Sequence, residues 1–122
     1  MGFTYCDMTK PFDLEERTTE FAKAVVRLCI KIPRSPINDR LTGQLVGSSG
    51  SIGANYREAN DSVGDKDFVM RMKISRREAK ETKHWLEIVL EANKSREIEI
   101  KPLLIESDEL IKILSSIIIK KQ

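Results

Sequence analysis

The sequence is short of several things that would make its chemistry easy to read. It has one histidine, His84, and two cysteines, Cys6 and Cys29, with no metal-type spacing between them. One histidine without a supporting motif excludes an arguable Ser/His/Asp or Cys/His arrangement, and the carboxylates show no spacing that singles out a catalytic pair. No His/Cys/Asp/Glu cluster suggests a metal, so neither a metal nor a cofactor is expected. Aromatic residues make up only 6%, which leaves little for base stacking. No apolar run approaches the roughly 20 residues needed to span a bilayer. The start, MGFTYCDMTK, lacks a basic region followed by an apolar one, so it does not read as a secretory signal. These absences point to a non-enzymatic, cytoplasmic protein with reduced thiols and no membrane partner.

What is present is apolar periodicity and charge. The 122 residues suit one domain large enough to bury a core without disulfides or metals. The apolar fraction is 40% and the charged fraction 33%, as in a helical globular protein. Net charge is only +2, but it is unevenly spread. Residues 23–83 carry thirteen basic and seven acidic groups, while both ends are slightly acidic. A basic centre hints at an anionic partner.

Three breaks divide the chain. They are Pro33-Arg34-Ser35-Pro36, Asn60-Asp61-Ser62-Val63-Gly64-Asp65, and Asn93-Lys94-Ser95-Arg96 followed by Pro102. Between them, apolar residues recur every three or four positions, the mark of amphipathic helices. The first stripe holds Leu14, Phe21, Val25, Leu28, Cys29 and Ile32. The second holds Ile37, Leu41, Leu45, Ser48, Ile52, Tyr56 and Ala59. The third holds Phe68, Met72, Ser75, Ala79, Leu86 and Leu90, with Trp85 and Val89 at its edge. The fourth holds Leu103, Leu110, Ile113, Leu114, Ile117 and Ile118. The spacing predicts an all-α antiparallel up-and-down four-helix bundle, with helices at roughly 12–32, 37–60, 65–93 and 102–120. Residues 1–10 are expected to form a flexible N-terminal segment.

Two features stand out on this scaffold. The stretch GQLVGSSGSIGANYREA, residues 43–59, resembles a phosphate-cradling loop in composition alone. A dinucleotide loop needs a strand before the glycines and a helix after them, and no Gly-Lys-Ser/Thr is present. Here the apolar stripe continues through the glycines, so they belong to a helix. Gly43, Gly47, Gly50 and Ala54 then fall together opposite the stripe. Each interior glycine costs about 1 kcal/mol relative to alanine, and close approach of another backbone is the natural offset. That backbone belongs either to another subunit or to the same bundle.

The second feature is RMKISRREAKETKHW, residues 71–85. On a helix, Lys73, Arg76, Arg77, Lys80 and His84 share one face, with Lys83 at its edge. The face reads either as a solvated surface or as a set of phosphate contacts. Contacts of the latter kind give affinity with little sequence preference.

A resemblance joins these features. It is carried by Leu41-Thr42-Gly43-Gln44-Leu45, then Ser48, Ser51, Ile52, Asn55, Tyr56, Glu58 and Ala59. Lys66-Asp67-Phe68 follows, then Ile74, Ser75, Glu78, Ala79, Glu81, Thr82, Trp85 and Leu86. From about Phe12 to Leu114 the sequence resembles the bacterial four helix bundle protein family. That family includes proteins encoded by intervening sequences inside large-subunit ribosomal RNA genes. A related branch contains the accessory variability determinant of diversity-generating retroelements. The resemblance implies a ring-like homo-oligomer, a pentamer in characterised relatives. It also implies a basic surface that engages RNA or DNA, with a reverse transcriptase or ribonucleoprotein as partner. The expected function is that of a nucleic-acid-binding accessory protein. The alternative is a protein–protein interaction scaffold with no nucleic-acid role.

Overall fold

A computed structural model of the protein describes residues 13–122, so the expected flexible segment at 1–10 lies outside the described residues. Four helices fill nearly all of what is described: α1 (Leu14–Lys31), α2 (Pro36–Asn60), α3 (Gly64–Ala92) and α4 (Glu97–Lys121). A single 3-10 turn, Lys94–Arg96, leads into α4. Among the described residues there is no strand, and Ile117–Ile119 continue α4 as helix.

The helix starts follow from local chemistry. Asp13 caps α1 by accepting from the Glu16 amide at 3.1 Å. Ser35 caps α2 by accepting from the Asn38 amide at 3.0 Å, with Pro36 in the first turn, where its missing N–H costs little. Gly64 opens α3 at φ +83, in the left-handed region that glycine enters without strain. Asp65 and Asp67 sit in the first turn of α3 and suit the dipole there.

The start of α4 differs from the sequence expectation. The helix begins at Glu97 rather than Pro102, so Pro102 lies within its second turn. The proline removes one amide hydrogen bond, but Ile100 and Leu103 on either side of it are fully buried. Seating both on the core requires helix through the proline, and their burial outweighs the lost bond.

Each helix packs on two neighbours, in the cyclic order α1, α2, α3, α4 and back to α1, and neither diagonal pair brings its backbones within 8 Å. This is the up-and-down bundle. Its core collects Phe21, Val25, Leu45, Ile52, Met72, Leu86, Leu110 and Leu114, all fully buried. The predicted stripes are largely right, with two corrections. Ile37 is 67% exposed, because Asn38 is the residue of that first turn that points inward. Val89, expected at the edge, is fully buried, as is Thr82.

The α2–α3 seam is lined by small and hydroxylic residues. Ser75 Oγ donates to the Ile52 carbonyl at 2.8 Å, and the Thr82 and Ser48 hydroxyls lie 2.9 Å apart. At the end of this seam Asn38 and Asn93 exchange two amide hydrogen bonds of 3.1 and 3.0 Å. Their remaining N–H groups donate to the Pro33 and Val89 carbonyls, so the buried amides are well satisfied. The thinner α1–α4 contact is closed by Arg17, whose guanidinium donates to both Glu106 oxygens at 2.6 and 2.9 Å. The Glu106 side chain is only 6% exposed.

Candidate nucleic-acid interface

The outward face of α3 is set by its own core stripe. Met72, Ser75, Ala79, Thr82, Leu86 and Val89 turn inward, which leaves Lys73, Arg77, Lys80 and His84 pointing outward at steps of four, three and four residues. All four are exposed. Among the described residues, no carboxylate lies within ion-pair distance of Lys73, Arg77 or Lys80. Several other cations of the surface are paired. Lys31 pairs with Glu99, Arg34 with Asp39, Arg57 with Glu15, and Arg71 with Glu58 and Asp67. Many basic side chains elsewhere are thus compensated locally, although Arg27, Arg40, Lys66, Lys112 and Lys120 also have no ion partner among the described residues.

The remaining residues of the expected face behave differently. Arg76 is half-buried, and its Nη1 donates to Ser115 Oγ of α4 at 3.3 Å. Lys83 lies 2.9 Å from Asp108 of α4. The hydrogen bond and charge of Asp108 hold its ammonium pKa above the ordinary value. Lys83 is charged but neutralised by its partner. His84 meets Trp85 edge-on, with ring centroids 4.9 Å apart, so it rests against a half-buried indole. Glu78 lies on the α2 side of the face. Burial, and then the Glu81 charge, raise its carboxyl pKa, and Arg77 partly opposes them.

Sequence reasoning missed Lys66. It is exposed, has no ion partner among the described residues, and sits seven residues before Lys73 on the same outward line. The signal was the seven-residue spacing, two helical turns, which extends the row to the start of α3.

The glycine face lies elsewhere, on the outer side of α2 toward α1. Gly43, Gly47, Gly50 and Ala54 are exposed. A Cβ placed on any of the three glycines would meet nothing within 4 Å. So no helix of the same bundle packs on them. Close packing inside the bundle occurs instead at Gly53, where a Cβ would fall 2.7 Å from Thr18 Oγ1. Beside Gly43 an open depression of about 420 Å³ is lined in part by Cys29, Ile32, Thr42 and Val46. Burial pushes the Cys29 thiol up to about 11, so it is an unreactive thiol at neutral pH. Among the described residues, no three His, Cys, Asp or Glu side chains are grouped to hold a metal, and no helix is long and apolar enough to cross a membrane.

Comparison with known proteins bears on the scaffold. No curated protein matches the chain. A crystal structure of a protein of unknown function from the S23 ribosomal protein family of Bacteroides thetaiotaomicron VPI-5482 superposes with a TM-score of 0.75 at 30% identity. The match covers 85% of this chain and 96% of that one. The model of the 23S rRNA-intervening sequence protein family matches residues 10–116, which include all of α1, α2 and α3 and most of α4. With the bundle geometry and the motifs of α2 and α3 in agreement, the chain belongs to the 23S rRNA-intervening sequence protein family.

Proposed function

We propose that this protein is a non-enzymatic accessory protein that binds the RNA or DNA backbone through the outward face of α3. The observation that carries the proposal is the row of exposed, uncompensated cations Lys73, Arg77 and Lys80, on a surface where basic groups are mostly paired. A lysine or arginine already paired with a carboxylate has little left to offer a phosphate. An unpaired one releases counterions when a phosphate replaces them. The row runs along one helix and lacks an exposed Phe, Tyr or Trp, so it fits the sugar-phosphate backbone rather than splayed bases.

The resemblance supports a homo-oligomer, a pentamer, working with a reverse transcriptase or another ribonucleoprotein component in the bacterial cytoplasm. The bare face of Gly43, Gly47 and Gly50 supports assembly, because their propensity cost of about 1 kcal/mol each has no offset within the protomer. The same face favours the second reading, a protein–protein scaffold that does not engage nucleic acid.

The test is fluorescence anisotropy with a mixed-sequence RNA duplex across a salt series. Wild-type binding should weaken steeply with salt, and replacing Lys73, Arg77 and Lys80 with Gln should lower the log–log slope by about two to three. Absence of binding at low salt, or binding indifferent to salt, defeats the proposal. In parallel, Gly47→Leu should reduce the native mass in light scattering if the glycine face lies between subunits.

A further inference from the structure

We infer that the phosphate-binding surface does not end on α3 but crosses onto α4, where Lys112 adds a contact and Asp108 closes the surface by occupying Lys83. The inference rests on the nucleic-acid reading above and specifies which side chains bound the site.

The register of α3 against α4 is fixed by two contacts, Arg76 with Ser115 at 3.3 Å and Lys83 with Asp108 at 2.9 Å. Lys112 is four residues after Asp108 and three before Ser115, so it shares their strip of α4 and lies between the two contacts. The α3 residues beside it are therefore Arg76 and Lys80. Packed helices have axes only about 8–10 Å apart, so the Lys112 ammonium and the α3 cations face solvent on one continuous surface. Lys112 is exposed and has no ion partner among the described residues. Glu109, one turn before it, forms no ion pair with it.

Asp108 does the opposite work. It lies on the same strip but spends its charge on Lys83, whose Nζ would otherwise extend the row toward His84. A phosphate approaching Lys83 meets a neutral ion pair rather than a free ammonium. Beyond His84 the next outward residues of α3 are Glu87 and Glu91, both exposed and acidic. Asp108 thus marks where the surface turns from attractive to repulsive. The pairing could not be inferred from residues 71–85 alone, because the carboxylate arrives from another helix.

The experiment is the same salt-series titration with the RNA duplex, applied to single variants. Lys112→Gln should lower the salt slope by about one and weaken binding alike for unrelated sequences. Asp108→Asn should raise the slope by about one and tighten binding, and adding Lys83→Gln should cancel that gain. Arg27→Gln on α1, which lies diagonally across the bundle from α3, should change nothing. All four positions are exposed or half-exposed, and unchanged helicity and melting temperature would exclude a folding effect. If Lys112→Gln binds like wild type and Asp108→Asn gains nothing, while the Lys73/Arg77/Lys80 variant is weakened, the surface is confined to α3 and this inference fails alone. If the wild type does not bind the duplex at low salt, the underlying proposal falls with it.

Discussion

Gly53→Ala tests how closely α1 and α2 approach. An added methyl would fall 2.7 Å from Thr18 Oγ1 and 3.2 Å from Thr18 Cβ. Thr18 is fully buried, and its hydroxyl donates to the Leu14 carbonyl at 2.7 Å. The hydroxyl can make room only by giving up a buried hydrogen bond, about 1 kcal/mol. Overpacking adds about 1–3 kcal/mol, and alanine returns about 1 kcal/mol of helix propensity. The expected net loss is about 1–3 kcal/mol. Thr18→Ala removes the Oγ1 that clashes, so the two changes together should cost about 1–2 kcal/mol less than the sum of their separate effects. Urea denaturation followed by circular dichroism measures all four corners of this cycle. A Gly53→Ala variant as stable as wild type, or a coupling near zero, would refute the close packing at this point.

Glu106→Ala should destabilise the fold by about 2–3 kcal/mol, since it removes the carboxylate that accepts two charged hydrogen bonds from Arg17 in a largely buried site. Lys31→Ala, which loses an exposed pair with Glu99, should cost under about 1 kcal/mol in the same denaturation assay. Asn38→Leu should cost about 1–3 kcal/mol, because it strands the Asn93 amide in the interior. In a Cys6→Ser background, Cys29 should alkylate more slowly at neutral pH in the folded than in the urea-unfolded protein, as followed by mass spectrometry. The folded thiol titrates near 11, above its ordinary value of 9.0. The raised value favours the folded state below about pH 9, and that contribution is lost as pH rises from there through about 11. Cys29→Ala should flatten the stability profile in that window.

The bundle was legible in the sequence because the apolar residues keep helical spacing through every segment, including the glycines of α2. What was not legible depended on which helix lies alongside. Pro102 looks like a helix start when read locally. Only the burial of Ile100, which the sequence does not announce, carries α4 back to Glu97. Ile37 fits the α2 stripe by spacing, yet the first turn rotates to place Asn38 against Asn93, 55 residues away. Gly50 and Gly53 look alike in sequence. One faces open space and the other faces Thr18. The basic face shows the same division. Spacing placed Lys73, Arg76, Arg77, Lys80 and His84 on one face, whereas the turn of Arg76 to Ser115 and the pairing of Lys83 with Asp108 required the register of α3 on α4.

The modest net charge of +2 is a weak argument against an anionic partner. Exposed charges are screened over about 8 Å at physiological salt, so a phosphate at the surface responds to the charges within a turn or two of where it lands. The acidic groups of this protein are largely committed. Glu15, Glu99 and Glu106 hold the bundle's seams, while Asp39 and Glu58 answer nearby arginines. Along α3 from Lys73 to Lys80 the only acidic side chain is Glu78, which lies on the α2 side, partly buried and with a raised pKa. The local field there is set by Lys73, Arg77 and Lys80 against the partly buried Glu78 and the exposed Glu81, and not by the protein's total. The relevant variable is therefore the position of each carboxylate. Neutralising one beside the row, as Asp108→Asn does, should change binding more than altering a charge on the far side of the bundle.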